Sequence, residues 1–271
     1  MRNLTRLGRV LAVAALLTFL LGPFLWQGLT SLTPEAELGG RGWPSHLTWR
    51  AWAGALARED FLWSLFNSLV VAAATTCLCL LCGAPAAFAL ARLPVPGRGL
   101  LLGGALAVSM FPPIAVVSPL YLVLQQMGLL DTRAGLVLPY ATFALPLTLW
   151  LLTSFFRQIP SELYRAARVD GCTPFQAFRW VLLPVSGPGL ATTALLVFVF
   201  AWNEFLFALS FIHSPGRRTV PVAISLFAAE HAEPWAEIAA ASVIATLPLL
   251  VLTVLFQRRI VAGLTAGAVK A

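Results

Sequence analysis

Residues able to do covalent chemistry are sparse in this sequence and poorly placed for it. His46, His213 and His231 lie far apart, and no nucleophile, histidine and carboxylate share a workable spacing. Cys77, Cys79 and Cys82 form the run CLCLLC in an apolar stretch without a neighbouring His, Asp or Glu. That setting reads as small packing residues, not a metal site. Cys172 stands in a polar interval that the charge pattern below places in a reducing compartment. Lys270 is the only lysine and Ala271 follows it, so no Gly-Lys-Ser/Thr phosphate loop is available here. No catalytic residue, metal ligand or cofactor site is therefore expected, and any ATP and Mg would be bound by another polypeptide. What stands out instead is a set of polar groups within strongly apolar runs: Asn67, Ser68, Ser118, Tyr121, Gln125, Trp202, Asn203 and Glu204. Such groups are costly in hydrocarbon and usually face a bundle interior or water, which makes them candidates for the path of a polar solute. Asn67 and Glu204 could also serve at an outer interface or as hydrogen bonds between helices. Tyr121 and Trp202 could be boundary aromatics.

A second constellation occupies residues 160–184, the longest polar interval between apolar runs near the middle of the chain. It reads as two short helices. Pro160 and Ser161 open the first, with Ser161 as N-cap, and Gly171 closes it where a left-handed residue is needed. Thr173, Pro174 and Gln176 make a capping box with proline at the first helical position, and Pro184 is expected to stop the second helix. Leu163, Ala166, Ala167 and Asp170 share a face by the i, i+3, i+4, i+7 rule, and the two alanines would let another backbone approach. Three roles fit: a hairpin joining two spans, a helix-turn-helix DNA reader prompted by Arg165, Arg168 and Arg179, or a docking element for a soluble partner. Membrane spans on both sides make the DNA reading awkward.

The elements that must position these residues follow from composition. Of 271 residues, 59% are hydrophobic and only 11% charged, and the mean hydropathy is +0.85. Soluble domains carry about a quarter charged residues, so the fold class is an all-α integral membrane protein. Apolar runs at 10–29, 62–90, 100–124, 134–156, 185–212 and 238–256 are long enough for six spans. The first is too long for a signal peptide and has no obvious cleavage site after it. Pro112, Pro113 and Pro119 should bend or break the third. Trp43, Trp49 and Trp52, in the Gly- and Pro-rich loop (Gly39, Gly40, Gly42) after the first span, suit a membrane–water boundary. The net charge of +7 is distributed by side, not clustered for nucleic acid. Six spans put twelve of the eighteen basic residues, from Arg2, Arg6 and Arg9 to Arg258, Arg259 and Lys270, with the 160–184 loop. The other six, among them Arg41, Arg133 and Arg217, fall opposite. The positive-inside rule then places that loop and both termini in the cytoplasm.

The 160–184 segment resembles the cytoplasmic loop of ABC importer permeases. Ala166-Ala167, Gly171, Val181, Leu183 and Pro184 match its spacing, while Arg165 stands where the pattern has Glu. FNSLVVAAATT, MFPP, GLLDTRAGLVLPY, FAWNEFLFALSF and the tail FQRRIVAGLTAGAVK are similar to the maltose-type, carbohydrate branch of that family. The resemblance covers residues 67–270. It implies a type I importer permease of six helices with a cytoplasmic coupling helix. It also implies a second permease subunit in a heterodimer, two ATP-binding cassette subunits inside and a solute-binding protein outside. Coupling residues would be Pro160, Glu162, Leu163, Ala166, Ala167, Asp170, Gly171, Leu183 and Pro184. The cargo would be a small carbohydrate, closest to an α-linked disaccharide such as trehalose or maltose. It would cross a bacterial-type inner membrane by alternating access. The competing class is a self-contained secondary transporter or channel. It would need coupling carboxylates at midplane, whereas Glu204 is the only acidic residue within an assigned span, near its outer end.

Overall fold

The structure is a computed structural model that describes residues 2–40, 43–230 and 234–266. Arg41, Gly42, His231 and Lys270 lie outside the described residues, as do the side chains of Arg2, Arg6, Arg258 and Arg259. Among the described residues every regular element is helical. In order these are α1 (Arg2–Leu32), α2 (Arg50–Ala57), α3 (Glu59–Arg92), α4 (Arg98–Ser109), α5 (Pro113–Gln126), α6 (Arg133–Gln158), α7 (Ser161–Val169) and α8 (Pro174–Ala177). A π-turn (Phe178–Leu182) continues α8 into α9 (Leu183–Val185). After it come α10 (Gly187–Trp202), α11 (Leu206–Phe211), α12 (Val220–Glu230) and α13 (Trp235–Ala266). Stretches of α1, α3, α6 and α13 are each long and apolar enough to cross a membrane, and two bent helix pairs pass the same test taken together.

The first bent pair is the run expected to break at its prolines. α4 and α5 meet at 90°. Pro112 holds an extended backbone (ψ 120°) and Pro113 opens α5, where its missing N–H leaves no bond unmade. Pro119 sits inside α5 without ending it. The run 185–212, expected as one helix, is instead three pieces. α8–α9 turns by 79° into α10 at Ser186, whose hydroxyl donates to Leu182 O at 2.6 Å. Pro188, lacking a donor, favours a fresh helix start there. At the far end Asn203–Phe205 separates α10 from α11, because the Glu204 carboxylate accepts from the N–H groups of Phe207 (2.8 Å) and Ala208 (3.2 Å) and so begins a new helix.

The chain divides into two compact units, 1–62 with 223–247 and 63–222 with 248–271. In the first, α1 leaves its apolar surface bare from Val10 to Trp26. Beyond that stretch, Ser31 is buried and accepts from Trp52 Nε1 at 3.1 Å. Trp52 thus packs inside the unit, while Trp43 and Trp49 are exposed. Glu35 caps the start of α13, accepting from Trp235 N–H (2.8 Å) and Ala236 N–H (2.9 Å). Arg58 pairs with Glu237 at 3.3 Å and lies over the Phe227 ring.

In the second unit α4, α10 and α11 all pack on α6, and α11 also on α5. Small residues permit the closest approaches. A Cβ on Gly83 would stand 2.6 Å from the Thr148 side chain, and one on Gly189 would stand 2.6 Å from the Phe155 ring. Within a bilayer such contacts replace the hydrophobic drive that water would otherwise supply. Cys79 is buried among Ala141, Ala144 and Val197, whereas Cys77 and Cys82 point to exposed sides of α3.

Candidate functional site

The helix pair in residues 160–184 is closed by its own backbone. At the C-terminus of α7, Cys172 N–H donates to Ala167 O (3.0 Å) and Gly171 N–H to Arg168 O (3.3 Å). Gly171 has φ 85°, so this is the paired-bond left-handed ending for which glycine is favoured. The expected capping box is present: Gln176 N–H donates to Thr173 Oγ1 (3.3 Å) and Thr173 N–H to Gln176 Oε1 (2.8 Å). Two details differ from expectation. Ser161 is the first helical residue, not the cap, and its hydroxyl turns to Glu162 Oε1 at 3.2 Å. Pro184 does not stop the second helix. Leu183 N–H reaches back five residues to Phe178 O, and this widened turn accommodates a ring that would otherwise press on the carbonyl four residues earlier.

This pair is seated on a core. Ala84, Ala87 and Phe88 of α3, Leu152 and Phe156 of α6, Ala167 of α7, and Ala177, Phe178 and Leu182 bury one another. The Phe88 ring is the centre, 5.1 Å from Phe178, 5.8 Å from Tyr164 and 6.2 Å from Phe156 between ring centroids. Arg92, the last residue of α3, donates from Nη2 to Phe156 O (2.6 Å) and to Ile159 O. It thereby satisfies carbonyls at the C-terminus of α6 just before α7 begins. α7 thus shares one core with α3 and α6.

The outward side of α7 differs from the expected one. Ala167 is only 5% exposed and faces the core, as does Tyr164. Ala166, one position earlier and so about 100° round the helix, faces out with Leu163 and Asp170. Ala167 consequently makes room for its own chain and not for a partner. Pro160, Glu162, Gly171 and Pro184 are exposed, and Leu183 is half-buried against the core.

The polar residues of the apolar runs separate in the same way. Asn67 is fully buried: its Nδ2 donates to Gly216 O and Arg218 O, both at 3.0 Å, and its Oδ1 accepts from Arg133 Nε at 2.8 Å. Every polar atom of that side chain is engaged, so it holds the 216–218 loop and offers nothing to a solute. Trp202 is 4% exposed and stacked on Phe198 at 5.7 Å, which leaves it neither at a boundary nor open to a sugar face. Ser118, Tyr121 and Gln125 line one side of α5 at i, i+3 and i+7; Ser118 and Gln125 are exposed and Tyr121 is half-buried beside Phe211 and His213. Asn203 is exposed, its Nδ2 on Val199 O at 2.8 Å. Glu204 is half-buried and caps α11.

The turn between α5 and α6 also has a hub that hydropathy does not reveal. Asp131 takes φ 56° and donates its N–H to Phe211 O at 2.9 Å. Its Oδ1 accepts from the N–H groups of His213 and Ser214, each at 3.0 Å, and its Oδ2 from Ser214 Oγ at 2.5 Å. Arg217 pairs with the same carboxylate at 3.5 Å. Partial burial pushes the carboxyl up, but the Ser214 side-chain and backbone bonds, the His213 bond and Arg217 outweigh it and hold it below the usual carboxylate value. Thr132, next in sequence, caps α6 by accepting from Gly135 N–H at 3.0 Å. The legible clue was the Asp-Thr pair immediately before an apolar run.

An all-helical fold with bent helix pairs and a cored, capped helix pair between apolar runs describes a membrane transport subunit, and comparison with known proteins agrees. The chain belongs to the family of binding-protein-dependent transport system inner membrane components, which matches it over residues 80–265. It is the multi-pass inner-membrane permease subunit of an ABC importer. It is 47% identical over 251 residues to the trehalose transport system permease protein SugB of Mycobacterium tuberculosis, covering 92% of each chain. Identity to the sulfoquinovosyl glycerol transport system permease protein SmoH of Agrobacterium fabrum is 42% over 269 residues, 97% of this chain and 93% of that one. Identity to the trehalose/maltose transport system permease protein MalG of Thermococcus litoralis is 44% over 207 residues, 76% and 74% of the two chains. Among solved structures, a chain of a bacterial ABC transporter involved in the import of the acidic polysaccharide alginate superimposes with TM-score 0.78 at 21% identity, covering 94% of this chain and 96% of that one. The fold is thus that of a type I importer permease.

Proposed function

We propose that this subunit carries an α-linked disaccharide of the trehalose or maltose kind, delivered by an extracytoplasmic solute-binding protein. It works with a second, different permease subunit and two ATPase subunits that bind the ATP and Mg. Two relatives named for trehalose support the cargo. With six crossings, counting each bent pair as one, both termini and the 160–184 loop would share a side, and the excess of basic residues there supports a cytoplasmic position. The observation that carries the coupling reading is the two-sidedness of α7, with Tyr164 and Ala167 fixed in the α3–α6 core and Leu163, Ala166 and Asp170 bare on the outside. An ATPase groove closing on that bare side would move α3 and α6 as one body. By thermodynamic linkage, solute-binding protein engaged outside would alter the affinity for ATP inside. Along the path, Ser118, Tyr121, Gln125, Asn203 and Glu204 are the groups left to meet a hydroxylated solute.

The test is purification of the tagged transporter in mild detergent, identification of every co-purifying chain, and assay of ATPase and trehalose uptake in liposomes. Recovery of a Walker-type ATPase and a second permease, with uptake that needs ATP, is the expected result. A chain that purified alone and moved solute without ATP would put a secondary transporter in its place. Uptake of sulfoquinovosyl glycerol in preference to trehalose would replace the cargo and leave the machine intact.

A further inference from the structure

The exposed side of α7 has a definite chemistry. With Tyr164 and Ala167 marking the buried direction, the opposite direction of a helix with 3.6 residues per turn runs through Glu162, Ala166 and Val169, with Arg165 beside them. Val169 is 87% exposed and Phe175, just beyond the turn, is 67% exposed. Bare apolar side chains rimmed by charge mark a protein contact. The nearby cations are not equivalent. Arg168 is folded back, its Nη1 donating to Cys172 O at 2.5 Å. Arg165 makes no salt bridge among the described residues and has only a through-space attraction for Glu162. Arg157 and Arg179 are also exposed, so the segment's arginines outnumber its two carboxylates, Glu162 and Asp170.

We propose that the surface receiving α7 on the ATPase subunit is an apolar groove whose rim carries at least one carboxylate opposite Arg165, the pair forming between subunits. The proposal rests on the coupling reading above. Seating Ala166 and Val169 in a groove strips water from Arg165, their neighbour on the same side. A guanidinium cannot shed its proton, so its desolvation must be met by an anion, and a carboxylate matches its forked donors in two parallel bonds. An anionic lipid surface fits less well, because it offers no shaped groove for Ala166 and Val169, which are bare on the same side.

Three variants of the full transporter separate the outcomes, with ATPase retention on the tagged permease and uptake per ATP hydrolysed as readouts. Arg165→Glu is expected to lower retention about tenfold or more at low salt, with a smaller loss in concentrated salt. Arg165→Gln should fall between it and wild type. Replacement of one groove-rim Asp or Glu of the ATPase by Arg should restore retention to Arg165→Glu. Ala166→Trp is the control for docking itself. Normal retention in Arg165→Glu with loss in Ala166→Trp overturns the carboxylate and keeps the docking. Normal retention in both overturns the coupling reading. An Arg165→Glu defect that vanishes when anionic lipid is omitted from the liposomes overturns the proposal in favour of a headgroup contact. Each variant sits on the surface, and its size-exclusion profile reports whether it folds.

Discussion

Replacing Asp131 offers the sharpest check on how the α5–α6 turn holds the 213–217 loop. Its carboxylate accepts three hydrogen bonds, from His213 N–H, Ser214 N–H and Ser214 Oγ, and its backbone stands at φ 56°. A hydrogen bond to a charged group contributes about 1.5–3 kcal/mol when water is excluded, but this side chain is 23% exposed and water would replace part of the loss. Asp131→Ala should therefore cost about 2–3 kcal/mol of local stability, the left-handed backbone being strained with either side chain. Asp131→Gly removes the bonds but relieves the backbone and should be milder. Asp131→Asn retains an oxygen that accepts both N–H groups, tolerates the left-handed backbone, and loses chiefly the charge, for about 1 kcal/mol. Hydrogen exchange at the His213 and Ser214 amides reads this directly. A loss of 2–3 kcal/mol corresponds to about 30- to 160-fold faster exchange. Because the native carboxyl ionises below the ordinary 3.8, the network contributes fully above that pH and fades as the pH falls through the lower native value. Wild-type exchange in Asp131→Ala, or an Asp131→Gly more labile than Asp131→Ala, would refute this account of the loop.

The other expectations concern the helix pair of residues 160–184 and the helix contacts. Gly171→Pro removes the N–H that bonds Arg168 O and forbids φ 85°; uptake per ATP hydrolysed should collapse while circular dichroism stays helical, and unchanged uptake would contradict the docking role. Arg92→Met frees Phe156 O and Ile159 O at the end of α6, a loss of about 2–3 kcal/mol, visible as faster protease cleavage between α6 and α7. Gly189→Ala drives a Cβ to 2.6 Å from the Phe155 ring and should cost about 1–3 kcal/mol, whereas Gly187→Ala meets open space and should leave the melting temperature unchanged. Glu204→Gln keeps an acceptor for α11 and Glu204→Ala does not; wild-type uptake in both would take Glu204 off the solute path and leave it as a cap.

The helix pair of residues 160–184 was legible because its signals are local. Gly171, Thr173 and Gln176 act within three or four residues of themselves, and the bonds they foretold are the bonds found. Hydropathy located the long helices for a similar reason, since twenty successive apolar residues need no knowledge of their neighbours. What was not legible depends on distant partners. Which alanine of Ala166-Ala167 turns inward is decided by Phe88, some eighty residues earlier. Asn67 read equally as a path residue and as an interfacial or interhelical hydrogen-bonding group, because its partners, Arg133 and the 216–218 carbonyls, are brought to it only by the fold. Trp202 read as a boundary or sugar-stacking ring until Phe198 took its face. The breaks at Ser186 and Asn203–Phe205 arise where side chains compete with the backbone for hydrogen bonds, and a hydropathy window averages that competition away.

The bonds that shape α7 and the start of α8 all lie within residues 160–176. No distant side chain is needed to end one helix or begin the next. The segment is in that sense a cassette, whose shape travels with its own residues while its outer side chains are free to vary. Transplanted between permeases that preserve the inward Tyr164 and Ala167 and the aromatic bed beneath them, it should keep its geometry and bring its donor's choice of ATPase with it. Lineages exchanging sugar permeases could then re-pair a permease with a different motor by changing a few exposed positions, without refolding the membrane domain.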